Sequence, residues 1–293
     1  ISGIGNMEDF KNIKSGRSPW SSYAVTTAEI APIRAVIIED GVESIGNYAF
    51  YECVSMKSVV ISNSVTSIGE AAFYECSSLT KIILSPYTTS IENNAFQFCQ
   101  SLREIIIPSS VTNIGNDAFV KCEALAAFEV DSGNPYYCSN DGILFNKEQT
   151  KLLCYPSGKQ SQSYIVPETV VSISRCAFKQ NRYLSSVTIP SSVIEIGNEA
   201  FQGCVSLSAV IIGTGISVIG KEVFDTCSNL FTITLPDSLV SIGERSFYGS
   251  GLYSIIIPVS VTNIGYEAFG MCKELAEVYY SGSISQWGAI SID

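Results

Sequence analysis

Apolar side chains recur along this chain at a fixed interval. Phe50, Phe73, Phe96 and Phe119 stand 23 residues apart, Phe178, Phe201, Phe224 and Phe247 repeat that spacing, and Phe269 arrives one residue early. The neighbours repeat with them: Ser64 to Leu79 reads SVTSIGEAAFYECSSL, Ser110 to Leu125 reads SVTNIGNDAFVKCEAL, and Ser192 to Leu207 reads SVIEIGNEAFQGCVSL. Self-similarity at a period of about 20 to 50 residues marks a solenoid, in which a single unit cannot close a core and must stack on its neighbours.

Each unit also contains a period of two. Leu102, Ile105, Ile107 and Pro108 return as Leu252, Ile255, Ile257 and Pro258. Such alternation predicts a strand with one buried face, and Pro ends it because it has no N–H for the next ladder bond. The inward pairs are Val36/Ile38, Val59/Ile61, Ile82/Leu84, Ile105/Ile107, Phe128/Val130, Tyr164/Val166, Val187/Ile189, Val210/Ile212, Ile233/Leu235, Ile255/Ile257, Val278/Tyr280 and Ile290/Ile292. Stacked at roughly 4.8 Å they make a parallel sheet about 55 Å long. The Val-x-x-Ile-Gly-x-x-Ala-Phe half is expected to return as a short strand or turn and then a helical turn, with Ala where packing is tight and Phe in the shared core. The expected fold is an α/β repeat solenoid whose parallel β-sheet has about twelve rungs. It forms one domain over 1–293: a lead-in or cap at 1–32, an array at 33–280 and a C-terminal unit at 281–293.

One rung is longer. Between Val130 and Val166 the spacing is 36 residues, without an Ala-Phe pair, and the runs ILFN and KLLCYP flank KEQT as in a hairpin, with Asp141-Gly142 as the turn leading in. This variant rung, 131–166, is either a protruding binding element or a structural replacement for the missing half-unit, since Ile143, Phe145 and Leu152 look core-filling.

The unit Cys-x-x-Leu-x-x-Ile-x-Ile-Pro-x-Ser-Val-x-x-Ile-Gly-x-x-Ala-Phe resembles the BspA-like class of leucine-rich repeats. The opening ISGIGNMEDF…SPWSSY resembles the lead-in of such arrays, and YYSGSISQWGAISI their C-terminal unit, with Trp287 in the Leu position. The resemblance implies a bacterial, secreted or cell-surface protein, similar in some members to adhesins that bind host matrix proteins. The chain departs from the more familiar leucine-rich pattern by carrying Ser eight residues after the Leu, at Ser64, Ser110, Ser192, Ser238 and Ser260, where a hydroxyl can still satisfy turn backbone.

Charge narrows the functions. With 28 acidic against 17 basic residues, net -11 and no His, the surface is unsuited to nucleic acid or anionic membranes, and imidazole chemistry and His-ligated metal are excluded. No run of about 18 apolar residues offers a membrane-spanning helix. The start ISGIGNM, without an initiating Met, reads as that of a processed or trimmed chain.

Seven of the ten cysteines (Cys53, Cys76, Cys99, Cys122, Cys204, Cys227 and Cys272) lie three residues after the repeat Phe, where Asn181 and Ser250 also occur. They read as buried thiols acting as small hydrophobes, while Cys138, Cys154 and Cys176 leave a bridge open. Gly3-Ile4-Gly5, Gly213-Thr214-Gly215 and Gly249-Ser250-Gly251 lack the third glycine of a dinucleotide loop, and Glu39-Asp40 reads as solvated surface. No catalytic residue, metal site or cofactor is expected.

The outward strand column reads Ile37, Val60, Ile83, Ile106, Glu129, Ile165, Thr188, Ile211, Thr234, Ile256, Tyr279 and Ser291. Either it is a binding surface, with Ile83, Ile106, Ile211, Ile256 and Tyr279 as candidates, or β-branched residues simply suit a pleated ladder. The preferred reading is a non-enzymatic surface or secreted module, a monomer that binds a protein or glycan and inserts in no membrane. The alternative is a spacer or targeting array within a larger extracellular protein.

Overall fold

A computed structural model describes residues 5–7 and 33–293; most of the 1–32 lead-in lies outside the described residues. These residues form two compact units, one running to Lys147 and including Pro156–Gly158, the other made of Glu148–Tyr155 and Lys159–Asp293.

In the first unit, Ala35–Ile38, Ser58–Ile61, Lys81–Ile83, Glu104–Ile107 and Ala127–Val130 form one parallel sheet in sequence order. Residues 23 apart stand opposite each other, as in Val36 to Val59 and Phe128 to Ile105. Short strands Val42–Ile45, Ser67–Ile68, Ser90–Ile91 and Asn113–Ile114 make a second parallel ladder, extended by Gly5–Asn6. The second unit repeats the plan. Ser163–Ile165, Ser186–Ile189, Ala209–Ile212 and Thr232–Thr234 form a parallel sheet, Ser254–Ile257 pairs with Glu277–Tyr280, and the short strands again follow each rung. The parallel-strand solenoid with its 23-residue period therefore holds.

The core is a stack of rings. Phe50, Phe73, Phe96 and Phe119 lie nearly parallel with centroids 5.3 to 5.6 Å apart, and Phe128 closes that run edge-on at 5.2 Å. In the second unit the run is Tyr155, Phe178, Phe201, Phe224, Phe247 and Phe269, spaced 4.5 to 5.4 Å. Tyr155 takes the Phe position of the variant rung, 23 residues before Phe178.

Two expectations change and one is extended. The half-unit around each Phe is not a helical turn; among the described residues the helix is confined to Ile284–Trp287. Instead, backbone with positive φ occurs two residues before the Phe, at Tyr48, Ala71, Asn94, Asp117, Cys176, Glu199, Glu222, Arg245 and Glu267, and two after it, as at Glu52 and Glu75. The cause is hydrogen bonding between rungs. The N–H groups of Tyr48, Phe50 and Glu52 donate to the carbonyls of Glu70, Ala72 and Tyr74 at 2.7 to 2.8 Å, which a helical turn would direct inward to its own chain.

The twelfth rung is also reassigned. Ser291–Ile292 pairs with Asn263–Ile264 in the short-strand ladder, so Ile290/Ile292 is not an inward pair of the main sheet and Ser291 leaves the outward column. The four-residue helix takes its place: Ser283 and Gln286 form a capping box at its start, and Trp287 rests edge-on against Tyr280 at 5.3 Å.

The insertion carries the expected strands and one more: Ile143–Asn146 and Lys151–Cys154, on either side of KEQT, are both strands, and a further antiparallel pair precedes them. Tyr137–Asn140 pairs antiparallel with Ile143–Asn146, and Asp141 and Gly142 at the tip have φ of 51° and 73°, the doubly left-handed turn that suits a two-residue hairpin. Ile143, Leu144 and Phe145 are buried. Lys151–Cys154 is a strand as expected and pairs with Ser172–Ile173. The hairpin fills core rather than protruding. Asn134 anchors it: fully buried, its amide donates to the carbonyls of Pro108 and Val111, and its oxygen accepts from the N–H groups of Tyr136 and Tyr137.

Candidate binding surface

Inward residues anchor the main strands, so the alternate residues face out by necessity; Glu277–Tyr280 differs in that Val278, expected inward, is itself 51% exposed. In the first unit Ile37 stands opposite Val60, and Val60 opposite Ile83, while the register of Lys81 with Glu104 carries the column on to Ile106. Glu129, opposite Ile106, ends it with a charge. In the second unit Thr188 and Thr234 flank Ile211, and Ile256 stands opposite Tyr279. The five candidate residues are 51% to 64% exposed, so the strand register read from the sequence is correct. The structure brings Ile83 together with Ile106, and Ile256 with Tyr279, whose hydroxyl donates to Glu277 at 2.8 Å. Ile211 stands apart between its two threonines.

A second column escaped the sequence reading. The residue just before each main strand is Arg34, Lys57, Thr80, Arg103 and Ala126 in the first unit, and Gln162, Ser185, Ser208, Phe231, Tyr253 and Ala276 in the second. Phe231 and Tyr253 are each 56% exposed and extend the apolar surface around Ile256. Its residue types change from rung to rung, so it leaves no repeated letter, and the strand bounds identify it.

The cysteine column has a more specific role than small hydrophobes. Six of the seven thiols reach the backbone carbonyl of the Phe one rung earlier: Cys76 to Phe50, Cys99 to Phe73, Cys122 to Phe96, Cys204 to Phe178, Cys227 to Phe201 and Cys272 to Phe247, at 3.0 to 3.2 Å. Asn181 and Ser250 fit the column because they too hydrogen-bond, Asn181 accepting from the N–H groups of Tyr183 and Leu184, and Ser250 meeting the Cys272 thiol. The serine column works likewise. Ser64, Ser110, Ser238 and Ser260 donate to carbonyls of the preceding rung at 2.6 to 2.7 Å.

All ten cysteines are thiols in the structure. Burial holds the Cys53 and Cys204 thiols up at about 12 and raises Cys76, Cys99 and Cys227 well above the usual range, so their reactive thiolate is scarce near neutral pH. An alkylating reagent should therefore modify the partly exposed Cys138, Cys154 and Cys272 first, and reach the other seven only after denaturation. Intact-mass measurement counts the adducts; three or more disulfides in the native protein would contradict this arrangement.

Residues 28–140 and 154–276 match the BspA type leucine rich repeat region, in 6 copies. The chain belongs to the BspA-type leucine-rich repeat family. The BspA-type fold recurs in a leucine rich cell surface protein of Faecalibacterium prausnitzii, 32% identical, with TM-score 0.77 over 89% of this chain and 76% of that one. The pneumococcal vaccine antigen PcpA shares the fold at 21% identity, with TM-score 0.80 over 97% of this chain and 79% of its own. So does a leucine-rich repeat protein of Eubacterium ventriosum, 24% identical, with TM-score 0.63 over 96% and 90%. No curated protein matches. Among the described residues no helix is long and apolar enough to cross a membrane.

Proposed function

We propose that this chain is a non-enzymatic protein-binding module of a bacterial cell-surface or secreted protein, and that it binds through the outward face of its main strands. One observation carries the reading. Thr188 occupies the outward column of the second unit with register intact on both sides, opposite Ile165 and Ile211, so pairing needs only a β-branched residue there, yet the first unit places Ile37, Val60, Ile83 and Ile106 on four successive strands, all more than half exposed. Contiguous exposed apolar side chains of this kind mark protein-binding surfaces. The cell-surface setting draws support from the name of the Faecalibacterium relative.

The test uses threonine, which keeps the isoleucine branch at Cβ and suits the ladder at Tyr279 as well. Ile83→Thr with Ile106→Thr, and separately Ile256→Thr with Tyr279→Thr, should leave the melting temperature within a few degrees while reducing capture on immobilised extracellular matrix proteins by about tenfold or more for the unit that binds. Unchanged capture in both pairs would remove the sheet face from the account. Deleting the hairpin is not a fair alternative test, because it would remove the buried Ile143, Leu144 and Phe145. Tyr136→Ser, at an exposed residue of the insertion, is the appropriate comparison and should bind normally.

A further inference from the structure

The two units present the same strand column with different rims, and the difference concerns charge. Arg34, Lys57 and Arg103 each precede a main strand of the first unit and all three are exposed. They stand in one ladder: the Lys57 N–H donates to the Arg34 carbonyl, Thr80 to Lys57, and Arg103 to Thr80, at 2.8 to 3.3 Å. None of the three has an ion-pair partner among the described residues, whereas Lys81 spends its charge on Glu104 at 2.6 Å on the sheet face itself. Beyond that neutralised pair the face carries Glu129 at its far edge, and Glu39 and Asp40 follow the end of the first strand, away from the cationic rim. In the second unit the equivalent rim of Gln162, Ser185, Ser208, Phe231, Tyr253 and Ala276 has no charge.

For a chain of net charge -11, three exposed cations along one edge of an apolar face, unpaired among the described residues, are an unusual concentration. Each cation precedes its strand and stands three residues before the apolar column in the chain, about 10 Å at strand rise. We infer that the first unit binds an acidic protein segment lying across its strands, apolar side chains on Ile37, Val60, Ile83 and Ile106 and carboxylates along Arg34, Lys57 and Arg103. This rests on the sheet face being the binding surface and adds the chemistry of the partner. The cations steer and select, and the apolar column supplies the buried area.

Selection of a displayed library of random 12-residue peptides on the full chain tests this. The recovered peptides should carry Asp and Glu well in excess of Lys and Arg, together with aliphatic residues. A synthetic peptide from that pool should bind about tenfold or more weakly to the triple variant Arg34→Gln, Lys57→Gln, Arg103→Gln, and progressively more weakly as salt rises. Ser185→Gln with Ser208→Gln, on the rim of the second unit, should bind as the parent does. Three results would overturn the inference: recovered peptides without acidic excess, binding untouched by the triple variant, or phosphatidylglycerol vesicles binding the rim while no peptide is enriched. Should neutral peptides be recovered and lost in Ile83→Thr with Ile106→Thr, the charge inference fails but the sheet-face reading stands. Should no peptide depend on either set of residues, both fail.

Discussion

Phe201→Ala should destabilise the second unit by about 3 to 5 kcal/mol, the cost of removing a large core ring without refilling its space. The ring is wholly buried and sandwiched, 4.5 Å from Phe178 and 5.3 Å from Phe224 by centroid. Its loss opens a cavity between two rungs and breaks the run of stacked faces. The same substitution at Phe269 should cost less, because that ring stacks only on Phe247 and is partly exposed. Denaturant unfolding followed by tyrosine fluorescence measures both. Equal losses would mean that the array melts as one cooperative block whose ends count as much as its middle.

Gly197→Ala should be damaging for a different reason, by about 3 kcal/mol or more, at the upper end of what overpacking costs. A Cβ at this position would lie 2.3 Å from the backbone nitrogen of Arg175 and 2.6 Å from the carbonyl carbon of Ser174. No rotamer relieves a clash with backbone. The rungs would have to separate where the Gly197 N–H donates to the Ile173 carbonyl at 2.8 Å. Gly288→Ala is the control, since its Cβ would meet nothing nearer than 3.6 Å and should cost little. A small, equal shift in melting temperature for both would show that the rungs approach less closely than the structure has them.

The glycine of Ile-Gly was visible in the sequence as a repeated letter, but its reason lies in the neighbouring rung. The same holds for most of what the sequence left unread. Strand register, the Phe column and the burial of the cysteines followed from spacing, because burial acts on each residue's own side chain. The left-handed residues did not. Tyr48, Ala71, Glu199 and Glu222 share no backbone preference, and the conformation comes from carbonyls 22 residues away. Nor did Tyr155 announce itself as the missing Phe, although it stands 23 residues before Phe178, because the insertion drew attention to its length rather than its phase. Ile292 misled for a related reason: its alternation with Ile290 fits either ladder, and only pairing with Ile264 assigns it. The candidate surface was half legible. Its apolar column is periodic, while the cationic rim differs between the units and so leaves no repeat to follow.

Hydroxyl-radical footprinting of the chain, alone and with a captured protein partner, tests the central claim most directly because it needs no substitution. Oxidation of Ile83 and Ile106, or of Ile256 and Tyr279, should fall severalfold in the complex, while Tyr87, Tyr136 and Tyr266, exposed away from these columns, keep their rates. Protection of Tyr136 or Tyr266 with unchanged oxidation of all four sheet-face residues would contradict it.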